Sequence, residues 1–153
     1  MGVPQEVKAT YKALVESGLI RYTVQPVGAP IAAVSDAAAG AWVWSAYVQI
    51  VAAAVVPNPC WLCGIHITTP VVEAFLADFA VASGAALAEV DLAMFHFGSE
   101  LFAVVEGKNT PYYLPYPIKI DGSPRLAVRI RKSTAASAAG ATIKLMIAAA
   151  VGT

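Results

Sequence analysis

The sequence predicts an all-β protein: an antiparallel β-sandwich of jelly-roll or Greek-key type, preceded by a short helix and an extended arm. Three observations point there. Tyr112 to Lys132 reads as two strands folded about a corner marked by Asp121-Gly122-Ser123-Pro124, where Gly accepts a positive φ. From Ala41 onward, short apolar runs alternate with turn residues, the texture of a sandwich or barrel. No helical period separates the expected strands, which disfavours an α/β fold.

The chain of 153 residues fits one structural unit with a sizeable core. Its organisation reads as helix and arm over 1–40 and sandwich over 41–153. Residues Pro4 to Ser17 carry Val7, Tyr11, Leu14 and Val15 at helical spacing, with Lys8, Lys12 and Glu16 facing away and Gly18 placed for a left-handed C-terminus. Leu19 to Gly40 holds Pro26, Gly28 and Pro30 without a sustained period, so it is expected to be an arm that reaches a neighbouring subunit.

Trp42 to Val56 is apolar on both parities and predicts a central, bent strand, closed by Pro57-Asn58-Pro59. Cys60 to Thr69 follows as a strand ending before Pro70. The run Val71 to Ala82 fits helix or strand by pattern; the alternation of Phe75, Ala77, Phe79 and Val81 favours strand. Leu87 to Phe97 gives another, and Gly98 to Thr110 is the most polar loop. In Tyr112 to Ile120, Pro115 and Pro117 cannot donate to a ladder, which predicts an edge or bulged strand. Leu126, Val128 and Ile130 then alternate with Arg125, Arg129 and Arg131, one face core and the other cationic. After a small-residue turn over Ser133 to Thr142, Ile143, Leu145, Ile147 and Ala149 form the closing strand.

Composition bounds the function. Ten basic and ten acidic residues cancel, so no whole-molecule field draws the chain to nucleic acid. Only 13% of residues are charged while 58% are hydrophobic, which predicts burial of much of the surface against other subunits. Near-zero net charge removes a repulsion that would keep copies apart. Met1 is followed by Gly2, Pro4, Glu6 and Lys8 in place of an apolar leader, so secretory export is not expected. Ala37 to Val56 is long enough to span a bilayer, but its reliance on Ala, with Ser45 and Gln49 inside and no flanking basic cluster, argues against a membrane span.

Catalytic constellations are weak. Cys60, Cys63, His66 and His96 would supply a zinc donor set, yet on a strand Cys60 and Cys63 point to opposite faces, and buried thiols are commonly small hydrophobes. The Cys-x-x-Cys spacing does not open a helix after a strand, as a thioredoxin-like site requires. The carboxylates Glu73, Asp78, Glu89, Asp91, Glu100 and Glu106 include one same-face pair, Glu89 and Asp91. Ion pairing with Arg125, Arg129 or Arg131 on a neighbouring strand or subunit is favoured over acid/base chemistry. No metal and no cofactor is expected. The best binding feature is the cationic face of Arg125, Arg129, Arg131 and Lys132 with Tyr112, Tyr113 and Tyr116 nearby, a mixture common at protein interfaces.

The series DFAVASGAALAEVDLAMF, then YYLPYPIKIDGSPRLAVRIR, then a small-residue turn and TIKLMIA, resembles small β-sandwich structural proteins of tailed bacteriophages. The resemblance covers roughly Trp42 to Ala149 and leaves the leading helix and the Ala-rich segment unmatched. It implies a non-enzymatic virion component, a capsid decoration or cement protein sitting as a trimer on the capsid surface, with the major capsid protein as partner. The rival reading is a carbohydrate- or receptor-binding tail module that uses Tyr112, Tyr113, Tyr116 and Trp61.

Overall fold

Alternating apolar sequence becomes strand wherever one parity has a core to enter. In the computed structural model, which describes residues 13, 16–18, 20–26, 31–34, 40–56, 58–69, 75–99, 108–133 and 141–150, the strands are β1 (Ile20–Gln25), β2 (Ile31–Val34), β3 (Val48–Val51), β4 (Cys60–Thr69), β5 (Phe75–Ser83), β6 (Val90–Ser99), β7 (Lys108–Ile120), β8 (Leu126–Lys132) and β9 (Ala141–Ala150). They form two antiparallel sheets. The first has the order β1-β9-β4-β7, with β2 also on β9; the second has the order β3-β8-β5-β6. The described residues are thus mostly strand and form a two-sheet β-sandwich.

The core lies between the sheets. Leu62, Ile65 and Ile67 of β4 and Ile143, Leu145 and Ile147 of β9 meet Phe79 and Val81 of β5, Phe95 and Phe97 of β6, and Leu126, Val128 and Ile130 of β8. Each such side chain contributes about 1.5–3 kcal/mol on burial. Phe97 links the layers: it meets Phe79 edge-on at 6.2 Å and Tyr112 of the opposite sheet at 6.0 Å. The parity expected for β8 and β9 is therefore the observed one.

On β4, the register to β7 and to β9 shifts between Leu62 and Gly64. Gly64 is required there: a Cβ would lie 2.2 Å from the Tyr112 carbonyl oxygen and 2.6 Å from Met146 Cε. Pro115 and Pro117 fall in the stretch of β7 skipped by that shift, and among the described residues β7 pairs with β4 alone, as an edge.

Several expectations change. The segment 19–40 does not extend away as an arm throughout: β1 pairs with Leu145–Ala150, and β2 pairs with Ala141 and Ile143, along one edge of β9. Strands of six and four residues, separated around Pro26, are too short to display a period. Trp42 to Val56 is not a central strand. Only Val48–Val51 is strand, at the edge of its sheet, because Trp42 takes a left-handed φ of 59° and 53–56 turns. The corner after Ile120 joins strands of different sheets, with Gly122 and Ser123 at positive φ, so β7 and β8 are not a paired hairpin.

Of the helix expected over Pro4 to Ser17, only Ala13, Glu16 and Ser17 lie among the described residues; Ser17 N–H donates to the Ala13 carbonyl at 3.0 Å, and Gly18 has a φ of 69°. The loop expected over Gly98 to Thr110 is strand at both ends, with Gly98 and Ser99 closing β6 and Lys108–Thr110 opening β7, and the turn expected over Ser133 to Thr142 gives way to β9 at Ala141; residues 100–107 and 134–140, and 71–74 before β5, lie outside the described residues. Among the described residues no helix is long and apolar enough to cross a membrane.

Candidate functional site

The chemistry-bearing side chains gather on the outer face of the second sheet. On β8 the parity opposite to the core places Arg129 and Arg131 outward, in register with Ala80 and Asp78 of β5. Arg131 donates from Nε and Nη2 to Asp78 Oδ2, each at 2.7 Å, while His96 Nδ1 of β6 lies 2.6 Å from Asp78 Oδ1. Asp91 repeats the arrangement one step along: Arg129 Nη2 donates to Oδ2 at 2.5 Å, and the Tyr47 hydroxyl donates to Oδ1 at 2.5 Å. Arg125 closes the row, with Nη1 2.6 Å from Glu89 Oε1 and Nε donating to Gln49 Oε1 at 3.0 Å. The ion pairs that the alternation predicted for Glu89 and Asp91 are formed.

Over this row lies the segment 42–47, held to the sheet by Trp42 N–H to the Lys132 carbonyl (2.7 Å) and Ser45 N–H to the Ile130 carbonyl (2.8 Å). Its rings cover the guanidinium groups. Arg129 lies 4.6 Å from the Trp44 ring and 4.7 Å from that of Tyr47; Arg131 lies 4.6 Å from Trp44 and 5.8 Å from Trp42. Such contacts contribute about 0.5–1 kcal/mol each at half-exposed sites. Arg129 Nε is buried without a hydrogen-bond partner, which costs about 1–3 kcal/mol and is the local expense of this stacking.

Electrostatics follow the geometry. Burial pushes the Asp78 carboxyl up, but the hydrogen bonds from His96 and Arg131 outweigh it and hold it below its usual value. The Arg125 guanidinium holds Glu89 below its usual value. Burial, and then the bond to Asp91, push the Tyr47 hydroxyl up to about 12. Asp78 and Glu89 thus stay charged and matched to an arginine at neutral pH.

The six residues expected to share one binding face occupy different places. Arg125, Arg129 and Arg131 form the row above. Tyr112 points into the core against Phe97, Tyr113 is exposed on the outer face of the first sheet, and Tyr116 is half-exposed on β7. Lys132 is fully buried, because it continues the inward parity of β8. The tyrosines and arginines separate because β7 and β8 belong to different sheets. The aromatic partners that the arginines do have, Trp42, Trp44 and Tyr47, were hidden from sequence reading by treating Trp42 to Val56 as one strand; the Trp-x-Trp alternation beside Tyr47 was the available signal.

Cys60 faces the core, whereas Cys63 packs with buried Trp61 and Ala148 on the outer face of the first sheet. Burial pushes the Cys60 thiol up to about 11. His66 lines the outer side of the first sheet and His96 the second, so the four candidate zinc donors do not converge. Among the described residues no group of three or more His, Cys, Asp or Glu is placed to hold a metal ion. Glu73, Glu100 and Glu106 lie outside the described residues.

One further feature is a shallow groove across the outer face of the first sheet. Two adjoining hollows of about 560 and 530 Å³ share Val24, Tyr113 and Met146; Cys63 and Pro117 line one, and His66 and Lys144 the other. No family model, curated protein or solved structure matches the chain.

Proposed function

We infer that the protein is a non-enzymatic structural subunit of jelly-roll type that works as an oligomer, and, in the specific form implied by its resemblance to phage sandwich proteins, a capsid decoration protein. The topology supports the jelly-roll reading. β1 and β2 pair with β9, β3 with β8, β4 with β7 and β5 with β6, so the first half of the chain pairs with the second in reverse order. Such a ribbon, folded over and sealed by the β4–β9 and β5–β8 ladders, supports a jelly-roll wrapping.

The observation that carries the functional reading is the division of charge and apolar surface. Arg125, Arg129 and Arg131 are neutralised within the chain, while Val43, Val55, Leu76, Leu87 and Val90 are exposed. A surface that spends its charges internally and leaves apolar side chains outside is suited to protein contacts more than to charged ligands. A trimer that binds the assembled shell, and not its dissociated subunits, would stabilise it by mass action, about 2.7 kcal/mol at a hundredfold excess over Kd. The partner in this reading is the major capsid protein, and the place is the capsid surface.

The groove bearing Tyr113 favours the second reading, a carbohydrate- or receptor-binding tail module. Size-exclusion chromatography with light scattering, in detergent-free buffer, separates the two. A soluble oligomer is the expected result; a monomer across the concentration range would refute the oligomeric subunit, and a monomer that binds soluble oligosaccharide would establish the rival.

A further inference from the structure

Neighbouring strands flank an outward side chain of a sheet but do not roof it. Trp61 stands on the outer face of the first sheet, yet it is 3% exposed, and Cys63 and Ala148 beside it are 8% and 0% exposed. In register with it are Ala148 of β9, too short to cover an indole, and Lys119 of β7, whose ammonium is turned to Asp121 at 2.8 Å. Burying an indole removes about 150–250 Å² from water, so something lies on top of it. The same face is open a few residues away, where Val24 is 44% exposed and Tyr113 70%. The cover is therefore local, over the end of the sheet where Ile20, Cys60, Ile120 and Ala150 lie.

We propose that the cover is the chain's own N-terminal segment, with its apolar stripe of Val7, Tyr11, Leu14 and Val15 docked on Trp61, Cys63 and Ala148. Topology selects it. Val34, Thr69, Ser99, Lys108, Lys132 and Ala141 stand at the opposite end of the sandwich, so 35–39, 70–74, 100–107 and 134–140 are anchored there. Trp61 is roughly 26 Å from Thr69 along β4, out of reach of such short connections. Residues 27–30 leave the edge of β9 between Leu145 and Ile143, beyond the exposed Val24. Into the Trp61 end run the stretch before Ile20, the single residue Pro57, and 151–153; only the first is long enough to cover an indole. The described turn agrees. Ser17 N–H donates to the Ala13 carbonyl at 3.0 Å, Gly18 ends the turn at a φ of 69°, and Ala13, Glu16 and Ser17 are exposed. At 3.6 residues per turn those three share one side, and Val7, Tyr11, Leu14 and Val15 share the other. Leu14 to Val7 spans about 10 Å along a helix, the two strand spacings from β1 over β9 to β4. A single chain already buries Trp61, so the docking needs no second copy and is independent of the oligomeric reading above. Its consequence for binding is that the segment closes the groove at Cys63, and a ligand entering there meets Tyr113 and not the Trp61 indole.

The test is the rate at which a maleimide labels Cys63 in the full chain, with the labelled thiol located by peptide mass spectrometry. Wild type is compared with Tyr11→Lys and Leu14→Lys on the apolar stripe, Ala13→Lys on the exposed side, and Tyr22→Ala, because Tyr22 pairs with Ala148 from β1. Circular dichroism melts identify the variants that retain the fold. The expected result is that Tyr11→Lys and Leu14→Lys speed Cys63 labelling by about tenfold or more, while Ala13→Lys leaves it unchanged. Folded Tyr11→Lys and Leu14→Lys proteins labelled at the wild-type rate would overturn the docking, as would Tyr22→Ala alone producing the whole effect. Wild-type labelling that slows as protein concentration rises would move the cover to a second copy and overturn the same-chain assignment. Should the lysine variants fail to fold, NMR of the wild type decides: NOEs from the Trp61 indole to Val7, Tyr11 or Leu14 are expected, and an indole with none to residues 1–15 would overturn the docking.

Discussion

Arg129 and Asp91 form an ion pair, 2.5 Å between Nη2 and Oδ2, across a strand to which neither belongs. Arg129 lies on β8 and Asp91 on β6, and β5 runs between them. Two sheet spacings separate those strands, about 9–10 Å, a gap that only a long side chain lying flat can bridge. It lies flat because β5 is small there: Ala80 sits in register with Arg129, and Ala82 with Asp91, both fully buried beneath the bridge.

Replacing Ala80 with Leu should therefore lift Arg129 off the sheet. The expected loss is about 1–3 kcal/mol from overpacking, read by urea unfolding, with a rise in Trp fluorescence change as Trp44 loses its guanidinium neighbour. Unchanged stability would mean that the bridge does not depend on the small residues beneath it.

Acid should unfold the protein through this row. Asp78 and Glu89 have folded pKa values below their unfolded ones, so the unfolded chain takes up protons first as pH falls. Their contribution is intact above the unfolded values near about pH 4 and is lost as pH drops through the lower folded values. Asp78→Asn should lower stability at pH 7 by about 1–2 kcal/mol, discounted because Arg131 is part-exposed, and should flatten the fall that begins below about pH 4. Thermal melts across that range give the comparison.

Gly64→Ala should destabilise strongly although it adds a single methyl group. The new Cβ would meet the Tyr112 carbonyl and Met146 Cε, and the first of these is backbone of the paired strand β7. A loss of about 2–3 kcal/mol or more is expected, measured by chemical denaturation; a neutral result would show that β4 and β7 can separate there without cost.

A chain beginning at Ala41 should fail to fold stably, and more than its assembly should change. It lacks β1 and β2, which cover one edge of β9 along most of its length. The uncovered edge is a template for aggregation. Loss of soluble, folded material is the expected outcome; a stable soluble fragment would show that the first forty residues are dispensable for the sandwich.

Local chemistry made much of this fold legible. The period of two in LAVRIRK and TIKLMIA assigned the inward and outward faces of β8 and β9, because a sandwich core admits one parity only. Pro115 and Pro117 marked β7 as an edge because they cannot donate. The opposite charges on Glu89, Asp91, Arg125 and Arg129 announced ion pairs, since a poorly charged chain leaves few other partners. What required the tertiary structure was the assignment of strands to sheets. Periodicity says which face of a strand is buried but not which strand lies beside it, so Tyr112–Tyr116 and the arginines, neighbours in sequence, end in different sheets. The same limit hid the cover of Trp42, Trp44 and Tyr47 over Arg129 and Arg131, because those contacts join segments about eighty residues apart and leave no local period behind.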